Sequence, residues 1–281
     1  MEKRVLPKMN SECDAVGSEL SREAIEKKYA SDIDKLDKIE LVGMRFGSID
    51  NHAFDKCFNL IDLSLDSNSF SSIDPRSLTR LVKLETLSLN YNQLTMIDAR
   101  LFEKCTSLIS LSIAWNRLTS IERRAFQRLV NLKQLILNNN ELTHLEERTF
   151  ERLTQLNLLT VAENSLIFLE PRIFERCHFL QTLSLACNDI VALDYRIFRE
   201  LSELKQLFLN NNKLIRLDDR LFEKCNSLTE LSLAENQLAE ISPKLFENCT
   251  SLVELYLNSN QITQLEARTF YKCVNLSKLS I

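Results

Sequence analysis

The chain has 281 residues, 44% of them hydrophobic and 26% charged, with a formal net charge of −4. That balance fits a soluble chain with a packed core and speaks against a general polyanion binder. No apolar run reaches the roughly 18 residues of a spanning helix, and the start MEKRVLPKMNSECDAVGSEL lacks the apolar core of a signal peptide.

Residues 1–35 do not repeat. Ser18 or Ser21 is placed to cap a helix running to about Ala30, with Leu20, Ala24 and Ile25 on one side. Such a segment would cover the edge of the first strand; the competing reading is a start without structure. From Leu36 a leucine recurs every 24 positions as far as Leu276, so residues 36–275 hold ten units of 24 without insertion or deletion, and an eleventh begins. A fixed period of this length means a solenoid. The expected division is therefore an N-terminal segment, 1–35, a candidate helical cap, and an array, 36–281. The first unit, LDKIELVGMRFGSIDNHAFDKCFN, is degenerate, as terminal units of solenoids are, with Gly43 and Gly47 about its turn. No glycine follows Gly47, which excludes a glycine-rich phosphate loop in the array.

Leu84–Ser107, LETLSLNYNQLTMIDARLFEKCTS, shows the unit best; positions are counted from its leading Leu. Positions +3 and +5 are apolar in every unit, which sets both on one face of a short strand and +2, +4 and +6 on the other. Position +8 is Asn from Asn68 to Asn260. An amide in register with buried leucines is expected to be buried, bonding backbone groups of its own turn and of the next repeat. Aliphatic residues return at +10 and +13. An acidic residue stands at +14 in nine units and a basic one at +16 in nine, with Pro75, Pro171 and Pro243 at +15. A cap-like residue followed by Pro reads as the start of a short helical turn. Position +18 is Phe in nine units and Leu78 in the other, an expected spine of stacked rings. Position +21 exchanges Leu with Cys57, Cys105, Cys177, Cys225, Cys249 and Cys273, as a small buried hydrophobe does. Cys187 at +7 and Cys13, outside the repeats, are the thiols expected to react.

The motif LxxLxLxxNxLxxIxxxxFxxC/Lxx resembles the "typical" 24-residue leucine-rich repeat, as in Toll-type receptors, Slit-type guidance proteins and small proteoglycans. The resemblance covers Leu36 to Ile281. It implies an α/β fold: a right-handed horseshoe solenoid with a parallel sheet on its concave side and short helical or 3-10 turns on the convex side. It also implies non-catalytic recognition of a protein or glycan, usually outside the cell. An intracellular scaffold is the alternative, and fits if Met1 is the true start.

Chemistry finds little support in the residues. His52, His144 and His178 fall in three different columns, and no cysteine–histidine cluster has metal-ligand spacing, so neither a catalytic site nor a metal or cofactor is expected. The arginine column runs beside the acidic one, so each Arg is expected to meet an acid and nucleic acid is not an expected partner. Sequons at Asn248 and Asn275 barely bear on localisation. The concave face is the expected binding surface. Its anchors would be Tyr91 and Trp115, neighbours at +7 of consecutive units, with Asn90, Ile136, Asn138, Phe208 and Tyr256 on the strands. The last residues, NLSKLSI, stop inside a strand. The expectation there is a thinly covered end at Leu252, Leu255 and Phe270, and self-association through that edge.

Overall fold

A computed structural model describes residues 17–29, 32–266 and 268–281. Cys13 lies outside the described residues. The repeats build one sheet of eleven parallel strands in sequence order, from Lys38–Glu40 to Lys278–Ser280. Each strand is three residues long and pairs with the strand one repeat away, as in Leu135↔Leu159 and Leu159↔Leu183. The middle residue of each points inward; from Ile39 to Leu255 these side chains are buried. Burying a leucine contributes about 1.5–3 kcal/mol, and one unit alone has no neighbour to bury it against.

The Asn column is buried, from Asn68 at 7% exposure to Asn236 at 7%, with Asn260 partly buried. The amides serve the preceding repeat, not the following one. Asn164 Oδ1 accepts the Leu142 N–H at 3.1 Å, and its Nδ2 donates to Leu137 O at 3.1 Å. It also reaches Val161 O and Ala162 O of its own turn, at 3.2 and 3.1 Å. The direction follows from the geometry: the Asn sits just past its strand, where the turn of the repeat behind still has an unpaired N–H. Behind the sheet the Phe rings stack, with centroids 6.5 Å apart for Phe126–Phe150 and 6.1 Å for Phe150–Phe174.

The return segments are mostly hydrogen-bonded turns. Among the described residues only one of these segments, Pro75–Leu78, closes into a 3-10 helix, where Asp74 accepts the Arg76 N–H at 2.9 Å. Pro171 and Pro243 begin plain turns.

At the start, Glu19–Leu20 pairs in parallel with Ser48–Ile49, and an α-helix follows over Arg22–Tyr29. Ser21 Oγ accepts the Ala24 N–H at 3.3 Å, and Ile25 is fully buried. The Tyr29 hydroxyl donates to Glu40 O at 2.8 Å and accepts the Glu40 N–H at 2.7 Å, so the free edge of the first strand is met by a side chain. A Cβ on Gly47 would stand 2.9 Å from the Gly17 Cα, so this approach needs a glycine. At the other end Leu252 and Leu255 are fully buried, against expectation, because the strand Lys278–Ser280 pairs alongside Glu254–Tyr256; Phe270 is half-buried.

Candidate functional site

The strand residues at +4 and +6 form the concave face, and the chain leaves it at +7. That position is a left-handed turn and not a strand end. Its φ is +55° at Tyr91, +57° at Trp115 and +55° at Asn139, and similar down the array. The turn lets Tyr91 N–H reach Ala114 O at 3.0 Å and Trp115 N–H reach Asn138 O at 2.9 Å, so every repeat needs it. A bulky residue there is unfavourable, since Cβ crowds the carbonyl by about 1–2 kcal/mol. Asn139 and Asn211 are the residues this backbone suits.

Tyr91 and Trp115 stack with centroids 5.4 Å apart and planes 11° apart. They remain 54% and 50% exposed, so neither is core. Beneath them runs a relay that sequence reading missed. Asp66 Oδ1 accepts the Ser88 hydroxyl at 2.6 Å and the Asn90 N–H at 2.7 Å. Asn90 Oδ1 then accepts the Ser112 hydroxyl and the Ala114 N–H, each at 2.7 Å. The Asn before an Ala at +6 was the available signal, because Asn90 and Asn138 each accept the N–H of the Ala one repeat on.

The seven expected site residues do not form one cluster. Tyr91, Trp115 and Asn90 come together. Asn90 is occupied within the relay, and Asn138 Oδ1 accepts the Ala162 N–H at 2.9 Å, so both amides hold the sheet. Ile136 and Phe208 are half-buried knobs three strands apart, roughly 15 Å at the usual strand spacing. Tyr256 lies further on; its hydroxyl donates to Glu254 and accepts from Lys278 Nζ at 2.6 Å, a small network at the C-terminal edge.

Cys57, Cys105, Cys177, Cys225 and Cys249 are fully buried, and Cys273 is 5% exposed. Burial pushes the Cys105, Cys177 and Cys225 thiols up to about 12. Cys187 is half-buried, and desolvation followed by Glu163 raises it too, which makes it less reactive than its position suggests. Cys177 points inward and His178 is exposed. His52 Nδ1 meets Asp55 Oδ2 at 2.9 Å on the surface. Among the described residues no three metal-ligating side chains converge, and no helix is long and apolar enough to cross a membrane.

The convex arginines divide into two sets. Where +14 is Asp, the pairing is as expected: Arg76 donates to Asp74 Oδ2 at 2.7 Å and Arg196 to Asp194 Oδ2 at 2.8 Å, while Arg100 and Arg220 pair more loosely, through Nε to Asp98 Oδ1 at 3.5 Å and to Asp218 Oδ1 at 3.2 Å. The guanidinium and the Arg N–H hold Asp74 and Asp194 at about 2. Where +14 is Glu, the arginine makes no such pair among the described residues, which corrects the expectation that every Arg is neutralised.

The family model for the BspA type Leucine rich repeat region matches in overlapping stretches, 23–157, 95–209, 119–233 and 168–281. A comparison with curated protein sequences finds no match. Among solved structures the chain is similar to TLR13 in the TLR13–ssRNA13 complex, with TM-score 0.70 and 23% identity, covering 84% of this chain and 40% of that one. It is also similar to the Drosophila Toll–Spatzle complex, with TM-score 0.65 and 20% identity over 93% of this chain and 41% of that one. A leucine-rich repeat protein of Leptospira interrogans gives TM-score 0.68 and 23% identity over 96% of this chain and 78% of that one. The chain thus spans about two fifths of the length of the two Toll-type chains.

Proposed function

Because the chain belongs to the BspA-type leucine-rich repeat family, we propose that it is a non-catalytic recognition module that binds a protein on its concave face. The division into an N-terminal segment, 1–35, and the array, 36–281, is part of this reading. The observation that carries it is the Tyr91–Trp115 stack. Two large rings, half exposed, occupy a left-handed turn that disfavours them, on a sheet whose hydrogen bonds fix their orientation. Strain that the mutual stack no more than offsets, on rings that stay half exposed, points to use by a partner. Rigid aromatic surface also binds at low entropic cost, and Trp and Tyr are enriched among binding anchors. The neighbours in complex with ssRNA13 and with Spatzle support recognition as a use of the fold; their ligands are not carried over.

A protein is favoured over a glycan because the concave strands from Thr86 to Phe208 present apolar knobs and few charges. The setting proposed is an extracellular or receptor-type protein, with an intracellular scaffold as the alternative. The test is affinity capture by the full chain beside a Trp115→Ala variant of equal circular dichroism, with cross-linking to locate the contact. Partners held equally by both, or cross-linked elsewhere than the concave strands, would overturn the reading. Binding to an immobilised glycan panel in place of protein would replace its ligand class.

A further inference from the structure

On the convex face the acid at +14 decides whether the arginine two residues later is free. Asp accepts the +16 N–H and pairs with the guanidinium of the same turn. Glu carries one more methylene and makes neither contact in the three consecutive repeats of Glu122, Glu146 and Glu170. Glu122 instead accepts the Ala99 N–H of the preceding repeat at 3.0 Å. Arg124, Arg148 and Arg172 are left without an ion pair among the described residues.

Between the units that start at Leu108 and Leu132 these free arginines gather. Arg123, Arg124, Arg128, Arg148 and Arg152 line a cleft of about 400 Å³. None of the five makes an ion pair among the described residues. The cleft holds one carboxylate, Glu151, and Gln127 stands where the next repeat has that Glu. Thr149 also lines it. This residue is 4% exposed and its hydroxyl has no hydrogen-bond partner. Flanking repeats place Ala125 and Ile173 at the same position, so the core does not require a hydroxyl there.

Five like charges in one cleft repel each other, and an unpaired buried hydroxyl is unfavourable. One ligand relieves both. A guanidinium fork matches the oxygens of phosphate or sulfate in pairs. A tetrahedral dianion offers oxygens to both repeats and to the hydroxyl together, whereas a single carboxylate satisfies one arginine. We propose that this cleft binds a tetrahedral oxyanion, the phosphate or sulfate group of a larger ligand, held by Arg124 and Arg148 from adjacent repeats with the Thr149 hydroxyl as a further partner.

The test uses the full chain at about 0.15 M ionic strength, where the Debye length is about 8 Å, titrated separately with inorganic phosphate and with sulfate against a chloride control of equal ionic strength. Arginine Nε resonances and heat are recorded. At least one of the two anions should bind in preference to chloride and shift Arg124 and Arg148. Arg124→Gln with Arg148→Gln should weaken that binding by about tenfold or more, the size expected for two charge-assisted pairs. Thr149→Val should weaken it by roughly threefold, as for one neutral hydrogen bond. Arg196→Gln removes one such charge from a paired site and should change affinity less than about twofold, since distant exposed charges are screened. Unchanged circular dichroism certifies the variants. Preference for phosphate identifies a phosphate ester as the ligand group, and preference for sulfate a sulfate ester. Binding no stronger than chloride, or an Arg196→Gln loss as large as that of the double variant, overturns the site.

Discussion

Replacing Asn164 by Ala tests the amide ladder at its centre. The side chain is 9% exposed and bonds four backbone groups. Three of them keep a partner when it is removed. Leu137 O still accepts Asn140 Nδ2 at 3.0 Å, Val161 O accepts Asn188 Nδ2 at 3.0 Å, and Ala162 O accepts the Asn139 N–H at 3.0 Å. The fourth, the N–H of fully buried Leu142, loses its acceptor. One orphaned buried donor costs about 1–3 kcal/mol, and that is the expected loss for Asn164→Ala. Asn164→Asp sharpens the test. It keeps the acceptor for Leu142 but sets a carboxylate against three carbonyl oxygens, so at pH 7 it should be less stable than Ala. Its folded pKa is then raised above the unfolded value of about 3.9, so its penalty is absent below that pH and grows as pH rises. Urea unfolding at pH 7 and pH 4, at constant slope, reads both effects. Equal midpoints for parent and Ala variant, or an Asp variant more stable than Ala at pH 7, would refute the assignment.

Cys225 should resist alkylation in the native protein at pH 8, because its thiol is pushed up to about 12 by burial; rapid native labelling would show that the column is open. Thiols raised in the folded state contribute stability that is complete below the unfolded value of 9.0 and is lost as pH climbs towards the folded one, so urea midpoints should fall steadily between about pH 9 and pH 11; midpoints that stay level over that range would show that the thiols are not buried. Trp115→Asn should move stability by less than about 1 kcal/mol, since relief at the left-handed turn (~1–2 kcal/mol) offsets the lost stack with Tyr91 (~0.5–1.5 kcal/mol); a larger loss in the same assay would make Trp115 core. Phe150→Ala should cost about 3–5 kcal/mol, and Phe150→Leu much less because the second unit uses Leu78 at that place; an equal loss for the two would mean that ring stacking outweighs volume.

The columns that repeat were legible because each reports a demand made ten times over. Period, strand face, buried Asn, ring spine and the Leu/Cys exchange all follow from one unit packed on copies of itself. What escaped was what differs between copies. Asp and Glu at +14 look equivalent as charges, yet one methylene decides whether the next arginine is paired. The relay from Asp66 to Ser112 depends on side chains in three successive repeats meeting across the sheet, a coincidence of rows that no single column displays. The +7 turn escaped for another reason: left-handed backbone is normally announced by glycine, and here Tyr, Trp, Glu, Cys, Ser and Asn occupy it. The backbone bonds from that turn to the next repeat override the local preference.

The strict register also sets how the molecule would carry load. Within the eleven-stranded sheet each strand is bonded only to its neighbours 24 residues away, as Leu159 is to Leu135 and Leu183. Tension applied to the chain ends therefore meets the contacts one interface at a time, like a zip, instead of shearing many at once. Each interface that yields frees one unit of 24 residues. Drawn straight, such a unit adds roughly 80 Å of contour. A stretched molecule would lengthen in steps of that size, and the coils not yet reached would keep their shape.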